Sequence, residues 1–78
     1  MKTTSYFRAT RTRPDRQRIK DEWIEFVVRC PEKEYIQADG RIRRWGKIKE
    51  AGDRYLRVIL LQDRTTVHNA FFDRGYQP

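Results

Sequence analysis

Residues 54–74 read RYLRVILL, QDRT and TVHNAFFDR in succession, and this stretch decides the fold. Two apolar runs rich in β-branched and aromatic side chains flank a short polar break, which is the pattern of a β-hairpin. Nothing else in so polar a chain is as hydrophobic, so a core must be built on it. It also holds the only histidine, His68. With the turn at residues 62–65, Leu60 falls opposite Val67, Val58 opposite Asn69 and Leu56 opposite Phe71. Leu56, Val58, Leu60, Val67 and Phe71 then share one face, while Tyr55, Arg57, Ile59, His68, Ala70 and Phe72 share the other.

Working outward, residues 34–38 (EYIQA) form a strand candidate, and Asp39-Gly40 is a strong hairpin-turn dipeptide. Residues 41–49 (RIRRWGKIK) make the return strand, and residues 50–53 make the next turn. A four-residue turn there sets Trp45 beside Val58 on the covered face and sends Arg44, Gly46 and Ile48 to the opposite one. Gly46 across from Arg57 then leaves room for a ligand or backbone to approach.

Before the strands, residues 21–30 (DEWIEFVVRC) are the clearest helix, with Asp21 as N-cap and Glu22 and Glu25 near the positive end of its dipole. Trp23, Ile24, Phe26, Val27, Val28 and Cys30 cover a face too broad for a solitary surface helix, so it should lie across the sheet. Pro31 ends it. Cys30 reads as a small buried hydrophobe. Residues 1–20 are rich in arginine: residues 6–10 suit a short strand or a helical turn, and Pro14 suits a first helical position. Residues 1–5 read as a candidate disordered arm. The expected architecture is one α+β domain over residues 1–78, with an N-terminal helix or helices packed on a four-stranded antiparallel meander.

Charge is the strongest global signal: 18 Lys and Arg against 11 Asp and Glu give a net charge of +7. Such a surplus on a small surface favours a polyanion, nucleic acid above all, through counterion release at phosphates. One cysteine excludes an internal disulfide framework, and no Cys/His cluster suits zinc, so a reducing, cytoplasmic setting is expected. No signal peptide or membrane-length apolar run is read, and no metal or cofactor is called for. Gly-rich phosphate loops and serine–histidine–acid sets are absent.

From Arg18 to Pro78 the chain resembles a small bacterial family of unknown function allied to the RelE-like and BrnT-like toxins. The resemblance is carried by IKDEWIEFVVRCPEKE, ADGRIRRWG, RYLRVILL and TVHNAFFDRGYQP. It implies the RelE-like toxin fold, RNA as ligand, and an acidic antitoxin-like protein as partner. The arginine-rich first segment and the early C-terminal stop depart from that pattern.

Metal-free RNA cleavage needs a base for the ribose 2′-OH, a cation for the phosphorane charge and an acid for the leaving oxygen. His68, with a free pKa of about 6.5, suits base or acid. Arg44 and Arg57 suit the phosphate, and Tyr55 suits base stacking or proton donation. Arg43, Arg44, Lys47, Arg74 and Tyr76 are the candidate nucleic-acid contacts. Each residue also has a plainer reading: a half-buried histidine, solvated cross-strand cations, and edge tyrosines. Two functions therefore stand side by side, a toxin-like RNA-binding protein or metal-free endoribonuclease, and a non-catalytic module docking an acidic protein. DNA binding is disfavoured by Glu22 and Glu25 on the outer side of the one good helix. Open edge strands leave a homodimer open.

Overall fold

Three short helices precede a four-stranded antiparallel sheet in the computed structural model, which describes all 78 residues. The helices are α1 (Ser5–Thr10), α2 (Pro14–Gln17) and α3 (Asp21–Arg29). The strands are β1 (Lys33–Ile36), β2 (Ile42–Ile48), β3 (Arg54–Leu60) and β4 (Val67–Phe72), side by side in chain order. This is the α+β meander that the hydrophobic pattern predicts.

Local signals account for most boundaries. The Thr4 hydroxyl oxygen accepts from Phe7 N at 3.1 Å and caps α1. Pro14 opens α2, where a missing N–H costs nothing. In α3 the N-cap is Lys20 and Asp21 is the first helical residue, so its carboxylate acts in the first turn. Arg11 ties these pieces together: Nη1 donates to the Arg16 and Ile19 carbonyls at 2.8 and 2.6 Å, and Nη2 reaches Asp21 at 2.8 Å. The arginine-rich first twenty residues are thus partly occupied in holding their own backbone.

Two irregularities overturn the predicted assignment of faces. The β2–β3 connection spans residues 49–53, with a 3-10 turn at Lys49–Ala51 and left-handed backbone at Gly52 and Asp53. Ile48 therefore pairs with Arg54, Trp45 with Arg57 and Arg44 with Val58. One residue more than expected in the loop reverses the parity of all of β2. Arg44, Gly46 and Ile48 lie on the helix side, and Trp45 lies on the open side. In the last hairpin, Leu60 does pair with Val67, but Ile59 pairs with Asn69. His68 is the extra residue of a bulge. Beyond it Val58 pairs with Ala70 and Leu56 with Phe72, so Ala70 and Phe72 join the core side and Phe71 turns outward beside Arg57.

The core gathers Ile24 and Val27 from α3, Phe7 and Ile19 from the preceding segment, and Ile42, Ile48, Leu56, Val58, Leu60, Val67 and Ala70 from the sheet. Fully burying each large aliphatic side chain contributes about 1.5–3 kcal/mol. A Cβ added at Gly46 would stand 3.0 Å from Val27 Cγ2, so what approaches closely at Gly46 is α3 and not a ligand. The buried stripe of α3 is narrower than expected. Phe26 is 43% exposed, and Cys30 is exposed rather than buried.

The two sheet edges differ. Along β4, Thr4 N donates to the Val67 carbonyl at 3.1 Å and Val67 N donates to Lys2 O at 2.8 Å, so residues 2–4, read as a candidate disordered arm, form a parallel bridge there. The outer edge of β1 has no such cover, and its residues are exposed throughout. No helix is long and apolar enough to cross a membrane.

Candidate nucleic-acid interface

Because α3 occupies one side of the sheet, the other carries what period-two alternation leaves: cations and rings. One cross-strand row runs Lys33, Trp45, Arg57, Phe71. A neighbouring row runs Tyr35, Arg43, Ile59, Asn69, and Lys47 pairs with Tyr55 on the other side of the first.

Asp73, just past β4, organises the centre. Arg57 donates to Asp73 Oδ2 through Nε at 2.9 Å and Nη2 at 2.7 Å, and Trp45 Nε1 donates to the same oxygen at 3.0 Å. Gly75 N donates to Oδ1 at 3.0 Å, folding the chain end back over the sheet. Tyr76 consequently stacks on Trp45 with ring centres 5.1 Å apart, and meets Tyr55 at 4.9 Å. Lys33 lies over Tyr76 at 6.0 Å and Lys47 over Tyr55 at 5.8 Å. Arg74 joins Tyr55 and Tyr76 in lining a recess of about 190 Å³. The Arg57 guanidinium lies between Trp45 and Phe71, and Arg16 approaches Phe71 at 5.1 Å. Lys33, Lys47 and Arg74 take part in no ion pair, so their charge stays available to an anion.

The environment shifts three groups here. Burial pushes the Asp73 carboxyl up, but hydrogen bonds from Trp45 and Arg57, the Arg57 charge and the Gly75 amide outweigh it and leave its pKa below the usual value. Burial raises the Tyr76 hydroxyl, helped by Glu32 and Tyr55. Burial lowers the His68 pKa, and the Arg41 charge adds to that, so the imidazole is neutral at pH 7.

The residues assigned to catalysis do not meet. His68 Nδ1 and Thr4 Oγ1 share a hydrogen bond of 3.0 Å, and the His68 ring stacks on Tyr6 at 4.8 Å. The N-terminal segment therefore covers part of it. Tyr55 stands four residues along β3 from Ile59, the residue at the bulge, which is about 13 Å at the usual strand rise of about 3.3 Å per residue. Arg57 lies between them, held by Asp73. Of the predicted nucleic-acid contacts, Arg43, Lys47, Arg74 and Tyr76 belong to the open side. Arg44 does not: its Nη1 donates to the Val28 carbonyl at 2.6 Å and its Nη2 pairs with Glu34 at 3.3 Å, which joins α3 to the sheet.

Trp45, Phe71, Lys33 and Asp73 were not among the predicted site residues. The one-residue parity error hid Trp45, and the bulge hid Phe71. Asp73 carried a signal, an acid directly after a strand of a basic sheet, but one that fits a sheet-end cap equally well. No protein-family model, curated protein or solved structure matches the chain.

Proposed function

We propose that the protein binds single-stranded RNA across the open side of its sheet, in the manner of a toxin-like RNA-binding protein without need of a metal. The observation that carries this reading is the ring cluster of Trp45, Tyr55 and Tyr76 bordered by the unpaired cations Lys33, Lys47 and Arg74. Bases stack on aromatic faces and on guanidinium planes, while phosphates neutralise flanking cations. Tyr76 is the outer ring of the stack and the natural platform, since Trp45 beneath it is buried.

Binding is favoured over cleavage because His68, Arg57 and Tyr55 occupy separate surroundings, and a general base must lie within hydrogen-bond reach of its proton. The fluorescence anisotropy of a labelled, unstructured oligouridine tests the proposal. Tyr76→Ala should weaken binding by roughly five- to 150-fold, the loss of about 1–3 kcal/mol per stacked base. Unchanged affinity in Tyr76→Ala and Tyr55→Ala sinks the proposal. Binding to an acidic protein that persists at high salt, with no RNA binding at low salt, would instead select the interaction-module reading. Progressive RNA degradation by the parent but not by His68→Ala would restore the endoribonuclease, and growth arrest on expression would mark a toxin.

A further inference from the structure

At the opposite end of the open side, near the β3–β4 turn, a cleft of about 440 Å³ is lined by Tyr6, Gln37, Arg41, Arg43, His68 and Asn69. The surrounding structure uses only part of the polar capacity of these side chains. Arg43 donates from Nε to Gln37 Oε1 at 2.9 Å and lies over the Tyr35 ring at 5.5 Å, and its two terminal nitrogens make no hydrogen bond. Arg41 has one loose contact, Nε to Asp39 Oδ2 at 3.8 Å. Asn69 Oδ1 accepts from Arg16 and from Ala70 N, which leaves the Asn69 amide nitrogen without a partner. Thr4 Oγ1 and His68 Nδ1 share one hydrogen bond, which leaves His68 Nε2 without a partner.

What remains around the cleft is rich in donors: the ends of two guanidinium groups and an amide NH₂, beside the imidazole Nε2 and the Tyr6 hydroxyl. No carboxylate lines it. A cluster of donors with two fixed positive charges matches a tetrahedral oxyanion, and arginine suits phosphate because its planar fork can engage two oxygens at once. The Gln37 bond and the Tyr35 ring fix the Arg43 plane in advance, so little side-chain freedom is lost on binding. The stacked Tyr6 and His68 rings supply a flat wall against which a sugar or base can rest.

We infer that this cleft is a nucleotide-phosphate site, with Arg41 and Arg43 as the clamp and the Tyr6–His68 pair as its wall. The inference rests on the RNA-binding reading and deepens it. It fixes one phosphate at the bulge end of the sheet, so that a strand running toward Tyr76 is anchored at both ends.

The test is a two-dimensional NMR titration of the ¹⁵N-labelled full chain with inorganic phosphate, uridine 5′-monophosphate, uridine and oligouridine in turn. Phosphate and the nucleotide should shift His68, Asn69 and the Arg43 side chain saturably, while uridine should not. Arg43→Gln and Arg41→Gln should each weaken nucleotide binding roughly tenfold, as for loss of a charge-assisted hydrogen bond. Thermal melting of the same variants should be little changed, because neither arginine tip supports the core. Equal shifts with uridine, or no saturable shift with phosphate, overturns the cleft. Oligouridine that shifts Tyr55 and Tyr76 but not His68 and Asn69 also overturns it, and leaves the broader RNA reading in place. Phosphate held in the cleft with no oligouridine binding supports the site and removes RNA as its source.

Discussion

Asp73 takes hydrogen bonds from Trp45, Arg57 and Gly75, so replacing it with asparagine removes the charge that Arg57 faces while keeping the shape. The Asp73 side chain is only 12% exposed. Losing a charged acceptor at such a depth costs about 1–3 kcal/mol, and chemical denaturation at neutral pH should show Asp73→Asn destabilised by that amount. Its folded-state pKa lies below the unfolded value, so its contribution is complete above about pH 4 and is lost as pH falls toward the folded pKa. The acid limb of the parent's stability curve should therefore flatten in the variant. His68 obeys the same sign for the opposite chemical reason. Its pKa is depressed by burial, so the unfolded chain takes up a proton first, and stability should decline as pH falls below about 6.5. Urea midpoints across that range should fall in the parent and stay level in His68→Gln.

At the scale of elements, α3 approaches β2 so closely that a methyl group at Gly46 would stand 3.0 Å from Val27 Cγ2, and Val27 would have to yield by a few tenths of an ångström. Gly46→Ala should cost about 1–3 kcal/mol by overpacking. Adding Val27→Ala should return part of that loss, a non-additivity that a double-mutant cycle in denaturant would expose. Equal, additive losses would mean that the helix shifts freely on the sheet. The helix, the strands and the meander were legible in the sequence, because apolar period and turn residues such as Asp39-Gly40 act locally. Which side of the sheet each residue of β2 and β4 faces was not, because that depends on counting residues in two connections. The turn at residues 50–53 proved one residue longer, and the 62–65 turn is followed by a bulge at His68 that no local preference announces. The loop does contain a physical reason for its shape: Asp63 accepts from Thr65 N, Thr66 N and the Thr66 hydroxyl, with Arg64 in left-handed backbone. These bonds, the Thr66 hydroxyl's first, hold the Asp63 pKa down to about 2. Core residues such as Leu56, Val58 and Leu60 were recognised because three alternating aliphatics on a central strand face one way wherever the register lies, whereas Trp45 and Phe71 changed sides with it.

For the molecule as a whole, the question is whether its net charge of +7 or the placement of that charge directs binding. Several acids are already engaged: Asp21 at the start of α3 by Arg11, Glu34 of β1 by Arg44 and Arg64, and Glu50 of the β2–β3 turn by Trp23. On the open side Asp73 is already neutralised by Arg57, which leaves Lys33, Lys47 and Arg74 around Tyr55 and Tyr76. Two triple variants separate the alternatives. Lys33→Glu, Lys47→Glu and Arg74→Glu reverse cations beside the rings, whereas Arg8→Glu, Lys20→Glu and Arg29→Glu reverse cations on the helices or at a helix cap; both lower the net charge from +7 to +1. Long-range attraction depends on net charge and is screened beyond a Debye length of about 8 Å at physiological salt, so it should weaken similarly in both. Contact with phosphates is local. The logarithm of RNA affinity plotted against the logarithm of salt should therefore lose about two units of slope in the first variant, near 0.7 per contact on a single strand, and keep its slope in the second. Equal slopes in the two would place RNA elsewhere than on the open side of the sheet.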